Sequence, residues 1–322
     1  MRLKVITIRS CRAYIICVLI LLSLIQNGCN KNSDLNKADI RLSIRLNEYL
    51  DEQILDVHYD KPYLYGVTSN HLLLVKEQID SDGSCTINAE VFPIGGSSIC
   101  SYGSSVYIFS ENGYIGEYER EGMQLIRTFD VSDIAELHMY MGDMTRISAC
   151  QDKIVIARGV YVETIDSDMM QYFLLNTNGG EVHDISNRIH GDDQYSYSIS
   201  ISWVDENRIS LVSTAHNEMR SPEFTAYIYS IEGNLEYQHQ LDFWASDCIY
   251  DVKMKSYIYS SDGYNYYCYN PTEGGTTKLL CLAYKDSGSS PQITQPIGKL
   301  QSCGDELMIY LPLDNIIEIY KY

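Results

Sequence analysis

The sequence predicts an all-β fold, a ring of six four-stranded antiparallel blades, and three observations carry that expectation. Short apolar runs alternate throughout with clusters of Gly, Asn, Asp and Ser, and no long amphipathic helical pattern interrupts them. A strand-like run recurs six times, as YLYGV at 63–67, VYIFS at 106–110, KIVIA at 153–157, RISLV at 208–212, SYIYS at 256–260 and ELMIY at 306–310. The intervals are roughly 43 to 55 residues, the size of one propeller blade. Tyrosine outnumbers phenylalanine 28 to 6, and a ring with one wet end suits half-buried strand surfaces that meet water.

Each recurring run reads as the second strand of a blade. A polar turn separates it from a preceding short run: ILDV, SICS, RISA, ISISW, CIYDV and KLQSC in the six units. A third element then ends in a glycine turn, at Asp82-Gly83, Glu121-Gly122, Asn178-Gly179, Glu232-Gly233 and Glu273-Gly274 in the first five. Glycine supplies the positive φ that tight hairpins need, and runs such as MQLIRTF, EVHDI and LEYQHQL follow as fourth strands. The sixth unit stops at NIIEIYKY, one strand short. The missing strand is expected at the other end, where Ile40, Leu42, Ile44 and Leu46 alternate with Arg41, Ser43, Arg45 and Asn47. Pairing it into blade six closes the ring and removes an open sheet edge. A seven-bladed ring or a pair of β-sandwiches stands as the alternative.

The first 28 residues have the anatomy of a signal peptide. Arg2, Lys4, Arg9 and Arg12 precede an uncharged stretch, AYIICVLILLSLI at 13–25, which as a helix spans about 20 Å against the roughly 30 Å of a bilayer core. Gly28-Cys29 then resembles the end of a bacterial lipobox, although Gln26 stands where that pattern has an aliphatic residue. The resemblance implies cleavage before Cys29 and a lipid on its thiol, with residues 29–39 as a polar tether and 40–322 as the propeller. Asn30 in place of Asp implies an outer-membrane address in a two-membrane bacterium. Ordinary cleavage, or an uncleaved anchor, is the alternative. Over residues 40–322 the chain resembles bacterial six-bladed propeller lipoproteins, loosely akin to TolB-like and NHL-type propellers. The resemblance is architectural, with no WD or YWTD repeat and no complete sialidase Asp box.

A net charge of −19, more negative once the leader's four cations are removed, argues against a nucleic-acid partner. Beyond the leader lie Cys85, Cys100, Cys150, Cys248, Cys268, Cys281 and Cys303. Their odd number, irregular spacing and lack of CxxC signal neither a disulfide framework nor zinc, so mostly buried thiols are expected. Asp80-Ser81-Asp82-Gly83 and Asp166-Ser167-Asp168 begin like calcium loops without the later ligands. No HExxH, GxSxG, P-loop or cofactor signature occurs.

In a propeller the loops between blades and those joining second to third strands share one face, and the longest inter-blade loops are 131–145 and 186–198. The latter, with the next inter-blade loop, places Arg188, His190, Asp192, Asp193, Tyr195 and Trp244 on that face, a set suited to glycan or peptide recognition. Trp244 packed between blades, with the acids solvated, is the structural alternative. Adjacent carboxylates at Asp192 and Asp193 seldom face each other across a scissile bond. The loop HNEMRSPE at 216–223 is long and polar. The sequence therefore points to a lipid-anchored, non-catalytic binding or scaffold module for a glycan, peptide or envelope protein. The competing reading is a polysaccharide lyase or glycoside hydrolase whose residues converge in the central funnel from different blades. Three or more acidic, Tyr, His or Arg side chains meeting at one point would favour it.

Overall fold

Alternation of small polar and apolar residues along first strands, and unbroken apolar runs along second strands, build six sheets of four antiparallel strands. The computed structural model describes residues 40–79, 85–135, 145–162, 167–186, 196–215, 223–241, 247–260, 265–281, 299–312 and 314–322. Blade 1 holds β2 (Asp56–Asp60), β3 (Tyr63–Val67), β4 (Leu72–Ile79) and β5 (Cys85–Phe92). Blade 2 holds β6 (Ser98–Tyr102), β7 (Ser105–Ser110), β8 (Tyr114–Glu119) and β9 (Leu125–Asp130). Blade 3 holds β10 (Thr145–Cys150), β11 (Lys153–Val162), β12 (Ser167–Asn176) and β13 (Val182–Asp184). Blade 4 holds β14 (Ser196–Asp205), β15 (Arg208–Ala215), β16 (Glu223–Ser230) and β17 (Leu235–Leu241). Blade 5 holds β18 (Asp247–Asp251), β19 (Ser256–Ser260), β20 (Asn265–Tyr269) and β21 (Thr276–Cys281). Blade 6 holds β22 (Lys299–Cys303), β23 (Glu306–Leu311) and β24 (Ile316–Lys321), and takes its outer strand from β1 (Ile40–Arg45).

The six first strands contact one another in sequence, β2 to β6 and onward to β22, which returns to β2, so they wall a central channel. The ring is closed as the alternation at 40–46 predicts: Leu42 pairs with Ile319, and Ile44 with Ile317. Ile44 is buried while Ile40 is exposed at the strand's start. Leu46 is fully buried too, but in a short 3-10 turn (Leu46–Glu48) that follows the strand. The ILDV run likewise begins early, because β2 starts at Asp56.

Packing energy comes from the seams between blades. Six apolar clusters of buried side chains each join two neighbouring blades. At about 1.5–3 kcal/mol for each fully buried aliphatic side chain, these seams hold the ring together. The second strands β3 and β19 are buried at every position, which explains why their sequences lack a polar face.

Tyrosine departs from the half-buried expectation. Tyr65, Tyr172, Tyr257 and Tyr266 have no exposed surface, and Tyr59 and Tyr320 have 2%. Their rings fill the seams, and hydroxyls such as those of Tyr59 and Tyr320 reach buried carboxylates, Glu306 and Glu318. Glycine turns stand as expected at Gly122, Gly233 and Gly274, all with positive φ, whereas in blade 3 that conformation falls on Gly180 and not Gly179. The Asp82-Gly83 turn lies outside the described residues. Six cysteines are free thiols, of which Cys100, Cys248 and Cys268 are buried, Cys150 and Cys303 half-buried, and Cys85 exposed.

Candidate functional site

The face chosen from the sequence cannot be built from the described residues. Arg188, His190, Asp192, Asp193, Tyr195 and Trp244 all lie outside them, as do Cys29, the leader, the tether and residues 216–222. Ser167 and Asp168 are the first residues of β12, with Ser167 opposite Val162 in the β11–β12 pair. Among the described residues, no three His, Cys, Asp or Glu side chains gather into a metal-holding group.

Chemistry-bearing side chains meet instead on the channel wall between blades 6, 1 and 2. In β2 the partly exposed residues Asp56, His58 and Asp60 alternate with buried Val57 and Tyr59. Asp56 accepts from Lys299 Nζ at 2.6 Å, from Ser98 Oγ at 2.9 Å and from the Ile99 N–H at 2.9 Å. One carboxylate thus bolts blade 1 to both neighbours. The Ser98 hydroxyl in turn accepts the Ile147 N–H of blade 3 at 3.2 Å.

One tier along the channel, His58 does the same. Its Nε2 lies 2.9 Å from Ser101 Oγ and 3.1 Å from the Ser101 N–H, and its Nδ1 lies 3.2 Å from Gln301 Nε2. The Gln301 amide is held in one orientation because its Oε1 accepts the Tyr59 N–H and its Nε2 donates to the Tyr59 carbonyl, both at 2.9 Å. Both imidazole nitrogens therefore face N–H donors. Burial, then the charges of Lys299 and Arg120, hold the His58 pKa well below its ordinary value, so the ring is neutral. The Ser101 hydroxyl donates to Asp60 at 2.9 Å, and Asp60 is paired with Arg120, which also approaches Ser101 Oγ at 3.3 Å. A cavity of about 350 Å³ opens beside these groups, lined by His58, Ser101, Ser202, Trp203, Lys299 and Gln301. Trp203 is fixed by donating to the Ser148 carbonyl at 2.9 Å.

A serine within hydrogen-bond reach of a histidine invites comparison with a nucleophile–base pair, and the geometry argues against it. A general-base imidazole needs an acceptor at Nδ1 so that its Nε2 lone pair points at the hydroxyl. Here Nδ1 meets a fixed amide donor, and the hydroxyl proton is already given to Asp60. We expect a fluorophosphonate probe at millimolar concentration to leave Ser101 unmodified, as read by peptide mass spectrometry. Stoichiometric labelling at Ser101, lost in Ser101→Ala, would show an activated nucleophile.

None of His58, Asp60, Ser101, Arg120 and Gln301 stands out in the sequence, since strands and a turn from three blades supply them. The signal that points to them is the alternation Asp56-x-His58-x-Asp60, echoed by Lys299-x-Gln301: polar residues at every second position of a strand wedged between apolar ones.

No family model matches the chain, and no curated protein matches it. Among solved structures, a chain of the crystal structure of the mitotic checkpoint complex aligns with a TM-score of 0.53 and 10% identity, covering 90% of this chain and 93% of that one. The WD40 β-propeller domain of Doa1 aligns at a TM-score of 0.47 and 11% identity, over 88% of this chain and 96% of that one. At 10% identity the first likeness concerns fold alone, and the fold is a closed six-bladed β-propeller of four-stranded antiparallel blades.

Proposed function

We propose that this propeller is a non-catalytic binding or scaffold module, tethered at the bacterial cell envelope by a lipid on Cys29, that holds a peptide or protein partner. The observation that carries the reading is the use made of the channel wall. Asp56, His58, Asp60 and Gln301 are each engaged in bonds between blades, which stiffens the ring and leaves none of these four groups free to act as a general base. The structural neighbour sits in a multiprotein complex, which fits a protein-binding ring. Support for the address is the sequence of residues 1–39, with its cations, uncharged stretch and Gly28-Cys29. Kinship with bacterial propeller lipoproteins belongs to the same proposal. The first described strand, β1, lies at the outer edge of blade 6, so a tether preceding it would pull on an edge strand.

A second reading, a polysaccharide lyase, draws on the convergence of His58, Asp60 and Arg120 around Ser101, with a neutral imidazole among them. A glycoside hydrolase fits less well, since it needs two carboxylates across a bond and this cluster offers Asp60 alone, already paired with Arg120. The address is tested by the intact mass of protein extracted from its native membrane, beside Cys29→Ala. The expected mass lacks residues 1–28 and carries acyl chains that Cys29→Ala loses. An unacylated mass would remove the lipid anchor from this reading.

A further inference from the structure

On the ring face that carries the turns between first and second strands, an apolar groove of about 310 Å³ runs between blades 4 and 5. Its apolar lining is Val204, Ile228, Tyr237, Tyr250, Val252 and Pro271, with Lys255 also on its wall, and Val252 is 53% exposed. The groove is not isolated. It shares Tyr250 and Val252 with the lining of the channel cavity, and Arg208 with that of a wider groove of about 720 Å³ over blades 3 and 4.

The wider groove shows by its charge what can cover it. Asp205, Glu206, Glu232 and Glu236 line it against a single cation, Arg208, which already pairs with Asp205 at 2.5 Å and Glu236 at 3.5 Å. Tyr102, 41% exposed, stands at its rim from blade 2. The Glu206 carboxylate is met by the neutral amide of Gln151 at 2.7 Å, and one further cation, Lys153, stands nearby with its ammonium on the Glu206 carbonyl at 3.0 Å and its charge felt by Glu232, so four carboxylates still face two cations. An anionic lipid surface or a nucleic acid would be repelled here. A cationic side chain gains from several carboxylates at once, and an apolar neighbour on the same strand removes the Val252 surface from water.

We propose that these two grooves, adjoining at Arg208, dock an extended segment of a protein partner that carries Lys or Arg beside apolar residues. The cation sits among Glu206, Glu232 and Glu236, and the apolar side chains lie over Val252 and Pro271. The inference deepens the binding role proposed above and rests on it, naming the chemistry of the partner.

The test uses the full chain in detergent and two fluorescein-labelled hexapeptides, GKKVLG and GEEVLG, read by fluorescence anisotropy. GKKVLG is expected to bind and GEEVLG is not. The triple variant Glu206→Gln, Glu232→Gln, Glu236→Gln should weaken GKKVLG by about tenfold or more, and Val252→Ser by a few-fold. Glu48→Gln, Asp51→Asn, Asp133→Asn removes the same charge from exposed positions on the opposite face and should leave affinity within about twofold. Equal weakening by both triples would reduce the effect to bulk charge and overturn the site, as would absence of binding to GKKVLG. Labelling of Ser101 by fluorophosphonate would overturn the non-catalytic reading instead and leave the groove's own result standing.

Discussion

Replacing Arg41 by Met is expected to cost about 3 kcal/mol of stability, because it breaks the ion cluster that closes the ring. Arg41 lies on β1, the closing strand, and its guanidinium spans the seam between the first and last blades. It pairs with Glu77 of β4, meets Glu306 of β23 at 2.8 Å from Nε, and donates to Tyr59 Oη at 2.9 Å. The Glu77 and Glu306 side chains are only 5% and 1% exposed. Removing one member of a buried pair strands the other charge away from water, which typically costs about 3–5 kcal/mol. The low end applies because Glu306 keeps Lys61 at 2.7 Å and the Tyr59 hydroxyl. Glu77 is left with the Cys85 thiol, a weak donor at 3.3 Å. For a domain of this size the loss corresponds to a fall in Tm of roughly 6–12 °C. The double variant Arg41→Met, Glu77→Gln should recover part of the loss, because the stranded charge is gone. A fall below about 1 kcal/mol in the single variant would class the cluster with ordinary surface pairs and take ring closure out of its hands.

That closing strand was readable from the chain because its signal is local: Leu42, Ile44 and Leu46 alternate with Ser43, Arg45 and Asn47, and the last unit lacks a strand. The second strands were readable for the same kind of reason, burial on both faces leaving continuous apolar runs such as YLYGV. Position within a turn was less so: Asn178-Gly179-Gly180 offers two glycines, and the hydrogen bond from the Gly180 N–H to the Asn176 carbonyl selects the second for positive φ. The channel cluster was not readable at all as a site. His58 and Gln301 are 243 positions apart, and only closure of the ring brings blade 6 against blade 1. The loop candidates from Arg188 to Trp244 rested on polarity and loop length, and they lie outside the described residues, so they remain proposals.

Closure also sets a dependence on protons. His58 is neutral in the folded ring, its pKa pushed well below the ordinary value by burial and then by Lys299 and Arg120, whereas in the unfolded chain it titrates near 6.5. Above that pH both states are neutral and the residue contributes no slope. Below it the unfolded chain binds a proton that the folded ring refuses, so stability falls as pH falls, by about 1.4 kcal/mol per pH unit until the folded pKa is reached. The refusal has a geometric cause. An imidazolium donates from both nitrogens, yet the Gln301 amide cannot turn its oxygen toward Nδ1 without breaking two bonds to the Tyr59 backbone. The nearest acceptor at the other nitrogen is Ser101 Oγ, itself beside the Arg120 guanidinium. His58→Gln removes the titration while retaining an amide that can bond to the Ser101 N–H. The difference in Tm between wild type and His58→Gln, followed from pH 7.5 to 5.0, is therefore expected to shift steadily in favour of the variant below about pH 6.5. A difference that stays constant over that range would mean the ring accepts the proton as readily as the unfolded chain does. In that case the Gln301–His58–Ser101 tier is loose enough to rearrange, and the seam between blades 6, 1 and 2 rests on its apolar clusters, the Asp56–Lys299 tier and the Arg41 cluster.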